Sequence, residues 1–446
     1  MVPYMTSALN QQLVAAIWAP HAWLAHGWQA NVLLRIGANG CWSEITSDIA
    51  KPPADAKVLT GPLLPGFVNA HSHAFQRAFA GLVERRETQT DTFWSWREHM
   101  YQVARAMTPE QLRSIAIQLY GELLQGGYTQ VCEFHYLQND PSGKPYNDPL
   151  EMTWALVDAA ETVGIGITIL PTLYERAGFT TSDVNSEQRR FRSTAESVWD
   201  ACQYINCARR PLVNAGIAAH SLRGVTPNGL RKLQELVNQW QGPIHIHVAE
   251  QVGEVKDCIA ATGKRPISWL AENGQLDHRW NLVHATHTTP EEIEAIAESG
   301  ATLILCPSTE ANLGDGIPDV VGFLEQGIPM AIGSDSHVTR DWREELRWLE
   351  YAQRLQKRAR NVCAAPQMGW SSTAENLFTN MLAGGGAACG HDPWGLKIGA
   401  RADALVVNSS NVKGTELPLK SLLDSLVFSS PSVPWKATMV AGEWRK

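Results

Sequence analysis

Leu63-Leu64-Pro65-Gly66-Phe67-Val68-Asn69-Ala70-His71-Ser72-His73 is the stretch on which the reading of this chain turns. An apolar run of this length reads as a buried strand. Residues i and i+2 of a strand share a face, so His71 and His73 turn both imidazoles toward one point. Two such rings at the end of a short apolar strand, early in a long chain, suggest a metal site at the C-terminal mouth of a parallel barrel. The other ligands are then expected at the ends of later strands.

Working outward, seven more strand-like runs follow at intervals: 127–135, 164–171, 215–220, 243–249, 280–284, 301–306 and 329–333. Helical patterns fill the gaps. Thr108-Pro109-Glu110, Thr226-Pro227-Asn228 and Thr289-Pro290-Glu291 are helix-start signals, with Thr as N-cap and Pro at the first helical position. They predict helices over 111–124, 229–240 and 293–299. Eight strands alternating with helices, and no Gly-rich dinucleotide fingerprint, predict an α/β fold: a (β/α)8 TIM-like barrel rather than a doubly wound sheet. The two chain ends read as β without crossover helices. They are expected to form one small composite β-sandwich domain (1–62 and 390–446) beside a barrel spanning 63–389. Residues 357–370 read as a mobile surface loop.

The bulk composition narrows the partners. The 446 residues carry a net charge of −8, which argues against nucleic acid, since phosphate binding needs a basic surface. A small anionic substrate needs only one or two placed arginines and stays open. Eight scattered cysteines without a C-x-x-C pair read as reduced thiols in a cytoplasmic protein. Met1 to Thr6 lacks the basic region of a signal peptide, and the apolar stretch Leu13 to Trp18 is too short to cross a membrane. A homodimer is the expectation set by oligomers in general. Among 17 tryptophans, Trp94, Trp96, Trp342 and Trp348 stand near charges and are candidates either for a pocket wall or for core anchors.

Strand ends supply the chemistry. They carry His71 and His73; His245, His247 and Glu250; His284 and His287; and Asp335 and His337. Three neutral imidazoles and one carboxylate suit a divalent ion such as Zn²⁺ with one position left for water, and such water is far more acidic than bulk water. Parity does not separate His245 from His247, since both face the same way. His287 and His337 fit either a ligand role or a supporting one. The fourth strand ends in His220, where a dinuclear site needs a bridging lysine, so one metal ion per subunit is expected.

These features together resemble the amidohydrolase superfamily. The resemblance rests on Pro65 to His73, His247-x-x-Glu250, His284, Ser334-Asp335 and the tail Gly395 to Asp403. Longer runs resemble one of its branches, the formimidoylglutamate deiminases: His71 to Arg77, Phe93-Trp-Ser-Trp-Arg97, Glu133-Phe-His-Tyr136, His220 to Pro227 and Ser308 to Gly316. The resemblance implies zinc held by His71, His73, His247 and Asp335, with Glu250, His284 and Asp335 carrying protons. It implies Gln76, Arg97, Tyr136, His220 and Arg223 as contacts to a small dicarboxylate, N-formimino-L-glutamate. That compound would be hydrolysed to N-formyl-L-glutamate and ammonia, a step of histidine degradation. Three alternatives remain: a deaminase of nucleobases or nucleosides, formamide release from the same substrate, and a barrel kept only as an assembly partner. Arg223 has its own alternative, an ion pair with a barrel carboxylate. Arg85-Arg86 matches no pattern.

Overall fold

A computed structural model describes residues 16–86, 91–408, 418–429 and 432–445; the N-terminal residues 1–15 lie outside them. The N-terminal part gives strands β1 (Ala16–Leu24), β2 (Gly27–Ile36), β3 (Trp42–Thr46), β4 (Lys57–Val58) and β5 (Leu63–Pro65). The middle gives β6 (Phe67–Ser72), β7 (Tyr128–His135), β8 (Gly166–Leu173), β9 (Val213–Ala215), β10 (Ile217–Ser221) and β11 (Ile244–Val248). It continues with β12 (Trp280–His284), β13 (Thr302–Leu305) and β14 (Met330–Ile332), and the tail adds β15 (Ala404–Val406), β16 (Ala437–Val440) and β17 (Glu443–Arg445).

The eight predicted strands form a parallel barrel in the order β6-β7-β8-β10-β11-β12-β13-β14, with short β9 paired to β8. Closure runs through the metal-site candidates. Ser72 bridges Asp335 in parallel, the Asp335 N–H donates to the His71 carbonyl (3.0 Å), and the His73 N–H donates to the Asp335 carbonyl (3.3 Å). The two chain ends meet in a second sheet, ordered β17-β16-β15-β5-β1-β2-β3 with β4 beside β1. It has its own small core around Ile17, Leu34, Trp42 and Met439.

The run Leu63–Ala70, read as one strand, is two. β5 pairs antiparallel with β15 in the second sheet, whereas β6 pairs parallel with β7 in the barrel. The chain changes sheets at Gly66, where a Cβ would stand 2.3 Å from the Thr129 Oγ1, so only glycine lets the backbone pass.

The cap signals are realised. Thr108 and Thr289 form capping boxes with Gln111 and Glu292, and Thr226 caps the Gly229 N–H. The helix after Thr226 stops at Leu236, short of the predicted Trp240. Arg279 explains this: its Nη1 donates to the Val237 (2.8 Å) and Trp240 (2.7 Å) carbonyls. Residues 357–370 lie largely at the surface, held at Val362 and Cys363 by Glu350.

One helix outside the alternation, Phe93–Ala106, matters most for the site. Fully buried Arg190 ties its C-terminal end down, donating to the Ala104, Met107 and Asn139 carbonyls. Its other end then overhangs the barrel mouth. Of the four tryptophans singled out, Trp96 lines the cavity there and Trp94 faces Arg97, while Trp342 is a core anchor and Trp348 is exposed.

Candidate metal centre and active site

The strand ends converge as their spacing requires. The His71 Nε2 lies 3.1 Å from the His73 Nε2 and 3.0 Å from the His247 Nε2. The Asp335 Oδ1 stands 3.5 Å from the Nε2 of both His71 and His73. Hydrogen bonds fix two of the tautomers: His73 donates its Nδ1–H to the Phe134 carbonyl (2.9 Å), and His247 donates its own to the His220 carbonyl (2.8 Å). Both rings therefore aim bare Nε2 lone pairs at one point, which a third imidazole nitrogen and a carboxylate oxygen also face. Without a cation these acceptors repel one another; with one they complete an N₃O set suited to zinc with a vacant position. Burial pushes His71 and His247 well below the usual imidazole range and lowers His73, so the rings are neutral, as ligation requires.

The backbone is strained at this point. Asp335 (φ 44°) and His284 (φ 73°) both lie in the left-handed region, at a cost of about 1–3 kcal/mol each. At Asp335 the two closing hydrogen bonds to His71 and His73 hold the strain in place.

Glu250 follows β11 by two residues, its N–H held by the Glu254 carboxylate (3.0 Å). Its Oε1 is 3.9 Å from the His284 Nε2 and its Oε2 is 3.9 Å from the Arg223 Nη2. Burial raises the Glu250 carboxyl, and the charges of His284 and Arg223 oppose the rise. The His284 Nε2 is also 3.9 Å from the Asp335 Oδ2. Burial works against charge on His284, but Glu250, Glu310 and Asp335 outweigh it and lift the group to about 10.

A cavity opens above these groups, and Gln76, Arg97, Tyr136, His220 and Arg223 all line it. Gln76 donates to the Tyr136 hydroxyl (3.2 Å). The His220 Nδ1 meets the Ser221 hydroxyl (2.9 Å), and its ring packs 4.3 Å from that of Tyr174. Arg97 lies over the Trp94 ring (4.5 Å) and has no carboxylate partner among the described residues. Arg223 is half-buried, and its 3.9 Å approach to Glu250 is an ion pair without a hydrogen bond. Its Nε finds no partner among the described residues.

The remaining histidines stand apart from the converging nitrogens. The His245 Nε2 meets the Ala388 carbonyl (2.8 Å) deeper in the barrel. His337 bridges the Ser334 hydroxyl (2.9 Å) and the His73 carbonyl (3.1 Å), so it props a candidate ligand. His287 packs against Gly316.

The sequence reading gave no role to three buried carboxylates. Glu133 takes the Ser72 hydroxyl (2.7 Å) and the Ala74 N–H (2.6 Å), bracketing His73. Glu254 anchors Glu250, and Glu310 meets the His284 Nδ1 at 3.3 Å. Glu133 and Glu310 fall inside the distinctive runs quoted above, which was the available signal. Glu254 lies four residues past Glu250 and carries no such mark.

Comparison with known proteins agrees with this architecture. The amidohydrolase family profile matches residues 63–445. The formimidoylglutamate deiminase of Pseudomonas aeruginosa is 44% identical over 438 residues, 97% of this chain and 94% of that protein. A 5-methylthioadenosine/S-adenosylhomocysteine deaminase of Desulfovibrio desulfuricans is 26% identical over 85% of this chain and 79% of its own length. The crystal structure of an amidohydrolase from Brucella melitensis superposes with a TM-score of 0.90 at 41% identity, covering 96% of this chain and 94% of that one. A zinc-containing adenosine deaminase from Xanthomonas campestris, 20% identical with a TM-score of 0.77, covers 96% and 92% and shares the fold.

Proposed function

This chain belongs to the amidohydrolase family and is a hydrolase of C–N bonds, and we propose that it converts N-formimino-L-glutamate to N-formyl-L-glutamate and ammonia with one zinc ion per subunit. The observation that carries this reading is the pairing, in one cavity, of an N₃O donor set with two arginines. An amidine beside two carboxylates is the substrate chemistry that such a cavity complements.

In this reading His71, His73, His247 and Asp335 would hold the ion, which would supply an acidified water and positive charge to stabilise the negative charge that develops. Asp335 takes up the proton of the attacking water, and His284, charged and 3.9 Å from it, orients that water and stabilises the ionised carboxylate. Glu250 delivers a proton to the imino nitrogen. A C–O bond forms at the formimino carbon; the proton taken up by Asp335 passes to the same nitrogen as its second, the C–N bond breaks as the carbonyl forms, ammonia leaves with the electron pair, and the remaining water proton recharges Glu250. Arg223 and Arg97 grip the carboxylates, while Tyr136, His220 and Gln76 supply neutral hydrogen bonds. A nucleobase has no carboxylate for either arginine, which disfavours the nucleobase alternative. The reading carries with it a dimeric cytoplasmic enzyme of histidine breakdown; the eight free cysteines support the reducing compartment.

The test is zinc-loaded protein with N-formimino-L-glutamate, measuring ammonia and identifying the co-product. Ammonia with N-formylglutamate is expected. Formamide with glutamate would overturn the assignment of Glu250, and no turnover by the zinc-loaded protein would overturn the substrate.

A further inference from the structure

The geometry points to Glu310 as a positioning residue: its carboxylate keeps the His284 Nδ1 protonated and aims Nε2 into the cavity as the nitrogen that exchanges protons. This inference rests on the reading of His284 as a proton carrier.

His284 ends β12 with a left-handed backbone, and Ala285 continues it at φ 47°. The Ala285 N–H donates to the Val248 carbonyl (3.1 Å), which pins the main chain. That leaves the ring free to turn about its own bond, so something else must orient it. The Nε2 edge faces Glu250 and Asp335 at 3.9 Å. The opposite edge meets the Glu310 Oε1 at 3.3 Å, with Glu310 only 2% exposed.

Glu310 is itself fixed before His284 is counted. The same Oε1 accepts the Cys306 N–H (2.9 Å). The Glu310 N–H donates to the Cys306 carbonyl (2.9 Å), and its own carbonyl accepts from the Asp315 N–H (2.9 Å). A rigid, buried carboxylate against Nδ1 admits only the tautomer with a proton there; a bare Nδ1 would set two lone pairs facing each other without water to screen them. With Nδ1–H committed to Glu310, the Nε2 is the position that exchanges protons with the reaction. A carboxylate behind a catalytic imidazole plays the same part in hydrolytic triads. The Cys306 thiol lies in the same group of atoms, within 4.8 Å, so a second cation between His284, Cys306 and Glu310 is the competing explanation of the contact.

The test compares zinc-loaded wild type, Glu310→Gln and Glu310→Ala. Gln keeps an acceptor oxygen for Nδ1–H; Ala keeps nothing. The Ala variant should lower kcat about 10–100-fold, the usual effect of removing a group that orients a site histidine, with KM moving less than about threefold. Gln should recover most of the loss. Nitrogen NMR of ¹⁵N-histidine protein, with the His284 signal assigned by its absence in His284→Gln, should show a hydrogen-bonded Nδ1–H in wild type and in Glu310→Gln and lose that hydrogen bond in Glu310→Ala. Unchanged kcat in the Ala variant, a Gln variant no better than Ala, or a bare Nδ1 in wild type would each overturn the proposal. So would bound zinc falling from two equivalents to one on substitution. Wild type that releases no ammonia would instead sink the substrate reading, and the NMR result would then judge Glu310 alone.

Discussion

Replacing Arg223 with Met is the sharpest test of how the cavity selects its substrate. Met keeps an unbranched apolar stem and loses the charge and all five donors. Arg223 is enclosed, with its side chain 11% exposed and its guanidinium 5.7 Å from the Phe93 ring. Among the described residues its one carboxylate within 4 Å, Glu250, stands 3.9 Å away, too far for a hydrogen bond, so its donors are available to a ligand. A bidentate grip on a carboxylate makes two charge-assisted hydrogen bonds at about 1.5–2 kcal/mol each. Losing both removes about 3–4 kcal/mol, or roughly 10²–10³ in kcat/KM. The loss should fall mainly on KM, because the gripped carboxylate keeps its charge through the reaction and is held equally in ground and transition states. Zinc content should stay at one equivalent, since Arg223 makes no hydrogen bond or ion pair with His71, His73, His247 or Asp335.

A second readout comes from the same substitution. The Arg223 charge opposes the rise that burial imposes on the Glu250 carboxyl. Removing it lets that carboxyl rise further, so the limb of the pH–rate profile that reports Glu250 should move toward alkaline pH. Steady-state kinetics across pH, with metal analysis of each preparation, measure both effects. An unchanged KM with zinc bound would remove Arg223 from substrate binding and leave it as a partner of Glu250.

Three more outcomes are expected. Gly333→Ala places a Cβ 2.5 Å from the His71 Cβ and 2.8 Å from its amide nitrogen, so it should displace His71 and lower zinc occupancy while circular dichroism still shows the barrel; full occupancy would contradict the packing. Chelation should stop turnover and lower Tm, because it leaves imidazole nitrogens 3.0–3.1 Å apart facing one another, and added zinc should restore both; a Tm indifferent to metal would refute the site. Glu122, hydrogen-bonded to Arg77 (2.8 and 2.9 Å), is held down to about 2, so its pairing stabilises the fold above the ordinary carboxyl value and is lost as pH falls through about 2. Glu122→Gln should therefore lower Tm at neutral pH, modestly because the pair is part-exposed, with the gap closing in acid; a gap independent of pH would show that the charge is irrelevant.

The barrel was legible because strands buried on both faces read as continuous apolar runs, and Thr-Pro signals mark the helix starts between them. What escaped was set by contacts between distant residues. The division of Leu63–Ala70 at Gly66 depends on Thr129 standing behind it. The early stop at Leu236 depends on Arg279, more than forty residues on. That Phe93–Ala106 overhangs the mouth depends on Arg190, whose guanidinium has no carboxylate partner among the described residues to suggest such a role.

The site shows the same division. Parity along β11 places His245 and His247 on one face and goes no further; depth separates them. Two residues of strand are about 6.6 Å. At the lower level the Ala388 carbonyl meets His245, while at the upper level the nitrogens of His71 and His73 meet His247. Asp335 is a stronger case. Nothing local distinguishes it from other acids near strand ends, yet the last strand must close on the first, and closure puts its backbone against His71 and His73. The contacts that close the barrel are thus the contacts that bring the fourth donor to the metal candidates. A substitution that loosens the β6–β14 seam should therefore release metal before it unfolds the remaining strands, an order that metal release and far-ultraviolet circular dichroism, followed together through a denaturant titration, would reveal or refute.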